Sequence, residues 1–283
     1  MADVITLFEM GPRDGLQNEK NMIPTADKIR LVDMLTQAGF AKIEVASFVS
    51  PKWVPQMADG ADVLAGVRRK SGVRYTALTP NMKGYEAAKA ARVDEIAIFG
   101  SASEGFSRSN LNKSRKEALE MFRPVAEAAA EDGVPMRGYV SCVTDCPFDG
   151  PTAPGDVAAA AEAMLALGCY EISLGDTIGK GTPDTIAEML KAVLEVAPAE
   201  RLAGHYHDTG GRALENIEAS LEMGLRTFDA AVGGLGGCPY APGAAGNVAT
   251  ERVAALLHDR GFATGLDANA LAAAATFARS LRS

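Results

Sequence analysis

The sequence predicts an α/β protein of the TIM (β/α)8 barrel type, and three observations carry that prediction. Eight short β-rich segments alternate with longer helical ones from end to end, with no linker or shift of composition between them. Several of the helical segments run into a glycine where a helix should stop. Polar residues recur at the C-terminal ends of five strand segments, the face on which such barrels place their chemistry. A chain of 283 residues, 47% of them apolar, suits one barrel, which commonly takes about 250 residues. The expectation is a single catalytic domain over 1–283, its barrel spanning about 4–262.

In chain order, strands are expected at 4–10, 42–47, 73–78, 95–100, 136–142, 171–176, 202–208 and 227–232. Helices are expected at 25–38, 57–70, 83–92, 114–132, 155–167, 183–196, 211–223 and 249–260. Gly39, Gly72, Gly133, Gly168, Gly224 and Gly261 mark their ends. A final helix at about 267–281 is additional to the eightfold count. The competing layout, an open doubly wound sheet, would place a GxGxxG turn after its first strand. The turn here reads GPRDGLQNE instead.

A net charge of −8 argues against general nucleic-acid affinity, which needs a basic footprint, although local cations can still hold an anionic small molecule. No secretory signal, Arg-rich presequence or apolar run of about 18 residues is present, so the expectation is a cytoplasmic protein without a membrane span. Cys142, Cys146, Cys169 and Cys238 lack the spacing of a structural zinc site. The first three are read as buried apolar thiols.

Two of the three histidines stand in HYHDT, 205–209. Side chains alternate along a strand, so His205 and His207 face one way, roughly 7 Å apart, and Tyr206 faces the other. Such a pair can converge on one cation. The remaining strand ends supply Arg13 and Asp14, Glu44 and Ser47, Arg137, and Asp176 and Thr177, polar groups that an apolar barrel interior would not tolerate without use. Asp14, His205 and His207, with an amide oxygen from Asn247, form a mixed O/N donor set suited to Mg2+ or Mn2+; Zn2+ also accepts such ligands. Adjacent residues at a turn usually diverge, so Asp14 is read as a ligand rather than a salt-bridge partner of Arg13. Arg13 would hold an oxygen that becomes negative, with Glu44 as its ion-pair partner.

After the last strand comes a long glycine-rich loop, 233–247. Gly233, Gly234, Gly236, Gly237 and Gly243 suit a lid, with Pro239 and Pro242 limiting its freedom to hinges. Cys238 within it can act as an acid or base.

GPRDGLQNEK (11–20), IEVASFVSPKWVPQMAD (43–59), RGYVSC (137–142), CYEISLGDTIGKGTP (169–183), HYHDT (205–209) and GLGGCPYAPGAAGNVATE (234–251) resemble the 3-hydroxy-3-methylglutaryl-CoA lyase family of the DRE-TIM metallolyases, over nearly the whole chain. The resemblance implies a divalent-metal-dependent enzyme cleaving 3-hydroxy-3-methylglutaryl-CoA (HMG-CoA) to acetyl-CoA and acetoacetate, in leucine breakdown or ketone-body formation. It implies metal ligands at Asp14, His205, His207 and Asn247, a catalytic Arg13, a loop cysteine at Cys238, and supporting acids at Glu44 and Asp176. Substrate-contact positions are carried over to Arg137 and Asn110, with Ser47, Thr177 and Lys20 as further candidates. A homodimer or higher homo-oligomer is the corresponding expectation. Tyr206, Gly210 and the pair Ala230-Ala231 depart from the family pattern, which leaves the ligands untouched and bears on substrate preference.

The implied chemistry is a retro-aldol (Claisen) cleavage. A base, for which Asp14, His205 and a bound water are candidates, takes the tertiary hydroxyl proton. The C2–C3 bond then breaks, Arg13 stabilises the thioester enolate, and Cys238 protonates its carbon. Three rival readings compete with this one. A condensing synthase of the isopropylmalate or homocitrate type would carry a shorter turn before the final Gly-Asn and a further C-terminal domain. A non-catalytic acyl-CoA or metal-binding barrel would not need Arg13, Cys238 and the ligands together. A lyase for longer branched 3-hydroxyglutaryl-CoA esters would share every motif.

Overall fold

Eight parallel strands close the barrel that the alternation predicts. The computed structural model describes residues 3–238 and 241–282, with 237, 238 and 241–245 as backbone only. The strands are β1 Thr6–Glu9, β2 Lys42–Ser47, β3 Arg74–Leu78, β4 Glu95–Ser101, β5 Met136–Ser141, β6 Ile172–Asp176, β7 Leu202–Tyr206 and β8 Thr227–Ala230. Each pairs with the next, and β8 returns to β1 in the register Phe8 to Asp229. Around them run α1 Thr25–Ala38, α2 Gly60–Gly66, α3 Met82–Ala90, α4 Glu104–Leu111, α5 Arg115–Asp132, α6 Pro154–Ala166, α7 Pro183–Leu194, α8 Ala213–Glu222, α9 Thr250–Asp259 and α10 Ala268–Ser280. No described helix is long and apolar enough to cross a membrane.

Helices stop at, or at the residue before, five of the six expected glycines, Gly72 being the exception: Gly39 closes α1 at φ 99° and Gly133 closes α5 at φ 67°, conformations that cost other residues a steric penalty. At the N-terminus of α5, Ser114 and Glu117 form a reciprocal capping box, so the helix begins one residue after the capping serine. Helix α2 is much shorter than the expected 57–70, because a separate 3-10 turn takes Pro55–Met57 and the chain leaves the helix at Val67. Helix α4 was not legible. Its eight residues, EGFSRSNL, hold too few apolar side chains for a helical stripe, and the cap at Ser103 and the left-handed Asn112 define it instead.

Alternation along the strands divides the core. Ile5 and Leu7 join the large apolar layer between strands and helices, while Phe8 and Met10 join a small cluster with Leu78, Ala97 and Tyr139 inside the barrel. That inner cluster is too small to fill the barrel alone. The remaining space holds buried Glu44, Arg137, Ser173 and Asp229, which is where the fold begins to specify a site. Buried Cys142, Cys146 and Cys169 agree with their reading as apolar thiols, and burial pushes Cys142 and Cys169 up to about 12.

Helix α10 fastens the root of the glycine-rich loop. It carries Arg279 to Glu251 at 2.8 Å, and Glu251 in turn accepts from the Gly233 N–H at 3.0 Å. Phe277 packs under Arg30 of α1, with the guanidinium carbon 4.3 Å from the ring centroid. From the other side, Glu9 at the end of β1 accepts from the Gly11 and Val232 N–H groups, each at 2.8 Å, and from the Thr250 hydroxyl at 2.7 Å. One fully buried carboxyl therefore joins β1, the loop root and the start of α9.

Burial raises Glu9 from an ordinary 4.5 to about 7, with the Val232, Thr250 and Gly11 hydrogen bonds pulling the other way. The folded state then holds a proton that the unfolded chain releases above 4.5. Its stabilisation is complete below 4.5 and disappears as pH rises through about 7. At 1.36 kcal/mol per unit, the effect is on the order of 3 kcal/mol. Glu9→Gln keeps the oxygen that both backbone N–H groups use and cannot ionise. Urea unfolding across this window should show the variant gaining on the wild type as pH rises; parallel pH curves would remove the role assigned to this carboxyl.

Candidate active site

The site grows out of the turn after β1. Gly11–Gly15 is a single π-helical turn in which the Asp14 and Gly15 N–H groups both bond the Met10 carbonyl, at 2.8 and 3.1 Å. Such widened turns recur where a side chain must be re-aimed. This one swings Arg13 and Asp14 together rather than apart. Arg13 Nη1 lies 2.5 Å from Asp14 Oδ1, and Arg13 Nε donates to Glu44 Oε2, so the expected divergence of the two neighbours does not occur. The Arg13–Glu44 pair is present as expected. The turn packs so closely on the loop root that a Cβ on Gly15 would lie 2.6 Å from the Leu235 Cβ.

Tyr139 on β5 completes the arginine's surroundings. Its hydroxyl donates to Glu44 Oε1 at 2.9 Å, and its ring lies 5.6 Å beneath the guanidinium. Burial alone would lower the Arg13 pKa, but Glu44 and Asp14 outweigh it, so the group stays a cation.

Strand β7 ends at Tyr206, whose hydroxyl meets Ser220 of α8 at 2.7 Å on the helix side of the barrel. His205 and His207 take the opposite face with ring centroids 5.4 Å apart, as the two-residue alternation predicts. His207 then pairs its backbone with Asn247 in an isolated antiparallel bridge. That bridge returns the far end of the glycine-rich loop to the site, and the Asn247 amide donates to Asp14 Oδ2 at 2.8 Å. Gly236, at φ 97°, gives this amide room, since a Cβ there would sit 2.9 Å from Asn247 Nδ2.

Asp14, His205 and His207 each offer a ligand atom, and all three atoms lie within 4.8 Å of one another. Burial would raise the Asp14 carboxyl, but Arg13, His205 and His207 outweigh it and hold it at about 2. Burial, with His205 beside it, lowers His207 to about 4, and among the described residues its buried Nδ1 has no hydrogen-bond partner. A neutral imidazole with an orphaned nitrogen, next to an ionised carboxylate, is a donor set that fits a divalent cation. Burial would lower His205 too, yet the Asp229 hydrogen bond and the charges of Asp229 and Asp14 raise it.

These groups form the polar floor of a cleft of about 800 Å3. Leu78, Phe99, Phe106, Leu111 and Met121 give it an apolar wall, and Trp53, 84% exposed, stands at its edge. Thr177 and Asn110 line it, the latter on α4. The other expected contacts do not. Arg137 is fully enclosed, with its guanidinium taken up by Asp229 and Glu171, and Lys20 is exposed away from the cleft lining. Ser47 is buried, and Asp176 accepts from the Thr144 hydroxyl and the Gly181 N–H, both at 2.8 Å, without reaching the cleft.

The sequence did not single out Tyr139 and Ser173, which line the cleft, Gln17, whose amide donates to Asp14 Oδ1 at 3.3 Å, or Asp229 behind His205. An acid in the middle of the short strand TFDA was the available signal for Asp229. The backbone of 237–238 pairs with 241–245 as a short hairpin. The Cys238 side chain, Pro239, Tyr240 and the side chain of Pro242 lie outside the described residues, as does the expected lid behaviour.

A family model described as HMGL-like matches residues 4–277. A 3-hydroxy-3-isohexenylglutaryl-CoA/hydroxy-methylglutaryl-CoA lyase from Pseudomonas aeruginosa is 57% identical over 94% of this chain and 89% of its own length. A crystal structure of HMG-CoA lyase from Brucella melitensis is 62% identical and superposes with a TM-score of 0.98 over 99% of both chains. An Acinetobacter baumannii HMG-CoA lyase solved with coenzyme A and 3-methylmalate is 36% identical, with a TM-score of 0.93 over 99% of this chain and 91% of that one. On its sequence and its barrel alike, this chain belongs to the HMGL-like family.

Proposed function

We propose that the protein is a divalent-cation-dependent carbon–carbon lyase that cleaves HMG-CoA to acetyl-CoA and acetoacetate. The observation that carries this reading is the convergence of Asp14, His205 and His207 beside the Arg13 guanidinium on the floor of one cleft. The lyase names of relatives at 57% and 62% identity support the same reaction. The coenzyme A held by the A. baumannii relative supports an acyl-CoA ligand.

Asp14, His205, His207 and Asn247 would hold the cation, and their hard oxygen and imidazole donors favour Mg2+ or Mn2+. When bound, it would supply charge that polarises the substrate's hydroxyl and carboxylate oxygens. Asp14, His205 and a bound water are the candidates to take the hydroxyl proton. As the C2–C3 bond breaks, its electron pair passes to C2 and on to the thioester oxygen, a developing anion that Arg13 is charged to stabilise. Cys238 is the proposed donor of the proton that C2 then requires. The apolar wall supports the reading by keeping water from the enolate.

Acetoacetate release from HMG-CoA should stop when the protein is stripped with EDTA and return with Mg2+ or Mn2+, and His207→Ala should bind Mn2+ more weakly by calorimetry. Full activity in a demonstrably metal-free preparation would end this reading. For Arg13→Gln, with fold and Mn2+ affinity retained, kcat should fall by about 10²–10³, the cost of one lost oxyanion donor; a change confined to KM would make Arg13 a binding group only. Cys238→Ala should lower kcat by about 10²–10⁴ with unchanged thermal stability. Near-normal turnover in that variant would move the final protonation to another group.

A further inference from the structure

We propose that Asp229 is the positioning residue for His205: it takes the ring's Nδ1–H and so turns the Nε2 lone pair toward Asp14 and His207. This inference rests on the cation reading of that trio and goes beyond it. It names a residue outside the trio, on a different strand.

The geometry is specific. Asp229 on β8 is the direct register partner of His205 on β7, with its Oδ2 3.1 Å from His205 Nδ1. The ring's other nitrogen, Nε2, lies 3.9 Å from Asp14 Oδ2. The imidazole is thus spanned by two carboxylates, one inside the barrel and one in the cleft. Asp229 has no freedom of its own. Arg137 clamps it bidentately, Nη1 to Oδ2 at 2.9 Å and Nη2 to Oδ1 at 2.8 Å, and the Ser173 hydroxyl donates to Oδ2 at 2.7 Å. Arg137 is itself held by Glu171 at 2.7 Å and sandwiched between the Phe8 and Tyr139 rings, 4.5 and 5.1 Å from their centroids.

Every donor around Oδ2 being assigned, the carboxylate can only accept from His205. A ring nitrogen that donates inward leaves its partner nitrogen as the lone-pair donor. His207 differs: among the described residues its Nδ1 has no hydrogen-bond partner, which leaves that nitrogen able to offer a lone pair itself. The two histidines are therefore unequal. His205 is the one whose orientation the barrel fixes, through β5, β6 and β8 together. A ligating histidine whose second nitrogen is fixed by a carboxylate typically loses ~10–100-fold in metal affinity when that carboxylate is removed.

The simpler role for Asp229 is counter-ion to Arg137, and the test separates the two. Mn2+ affinity is measured calorimetrically for the wild type, Asp229→Asn and Glu171→Gln, with folding checked by circular dichroism. Glu171→Gln disturbs the same arginine without touching His205. A ~10–100-fold loss in Asp229→Asn alone supports the proposal; equal losses in both variants, or none in either, overturn it. Independently, imidazole 15N shifts of the cation-free wild type at alkaline pH report the His205 tautomer, which needs no variant to fold and no cation to bind. The Nδ1–H form supports the proposal, and the Nε2–H form overturns it. If the wild type binds no Mn2+ yet shows the Nδ1–H form, the cation reading fails while the positioning stands.

Discussion

The structure depends on keeping charge inside a barrel. An ionised side chain taken from water to a protein interior costs several kcal/mol unless it is paired and fully hydrogen-bonded, and removing one partner of such a pair costs about 3–5 kcal/mol. Here two arginines are enclosed among strands, Arg13 between Glu44 and Asp14, Arg137 between Asp229 and Glu171. Each lies near the Tyr139 ring, and the Tyr139 hydroxyl donates to Glu44. The interior is therefore a stack of ion pairs in place of aliphatic layers. Its upper members face the cleft, and its lower members hold them still.

That stack explains why the backbone is unusual only where it is. A regular strand-to-helix turn would send neighbouring side chains in different directions. The π-helical turn at Gly11–Gly15 instead aims Arg13 and Asp14 at each other and at the site. Gly15 and Gly236 then let the turn, the loop root and the Asn247 amide meet at distances that a Cβ would forbid. Glu9 and helix α10 fasten the loop root from two sides. Asn247, at the loop's far end, is held by its backbone bridge to His207 and its amide bond to Asp14.

Much of this was legible because it rests on short-range periodicity. The order of strands and helices, and the shared face of His205 and His207, follow from alternation along a strand and glycine at helix ends. What was not legible depends on contacts between distant segments. Arg137 opens a strand motif that matches a site position, but whether it faces the cleft or the barrel interior depends on Asp229, ninety-two residues away. Asp176 reads as a site acid, yet Thr144 and the Gly181 N–H occupy it. Helix α4 and its cleft residues left no periodic trace, because local capping rather than an apolar stripe defines them.

The charge balance gives these pieces one logic. Asp14 and Asp229, both held in the charged form, share this region with the Glu44 and Glu171 carboxyls, so acidic groups outnumber the two guanidiniums of Arg13 and Arg137, all enclosed or nearly so. Low dielectric makes such an excess costly, so the region has a standing demand for positive charge. The raised pKa of His205, driven by Asp229 and Asp14 against the pull of burial, is that demand expressed as proton affinity. A divalent cation on Asp14 and the two imidazoles would answer the same demand in place of the proton. The arginines cannot do so by moving, since their forks are already bonded. A cation on the ligand trio would thus offset a charge excess that comes from the way the barrel is filled, and the trio sets where that cation would sit.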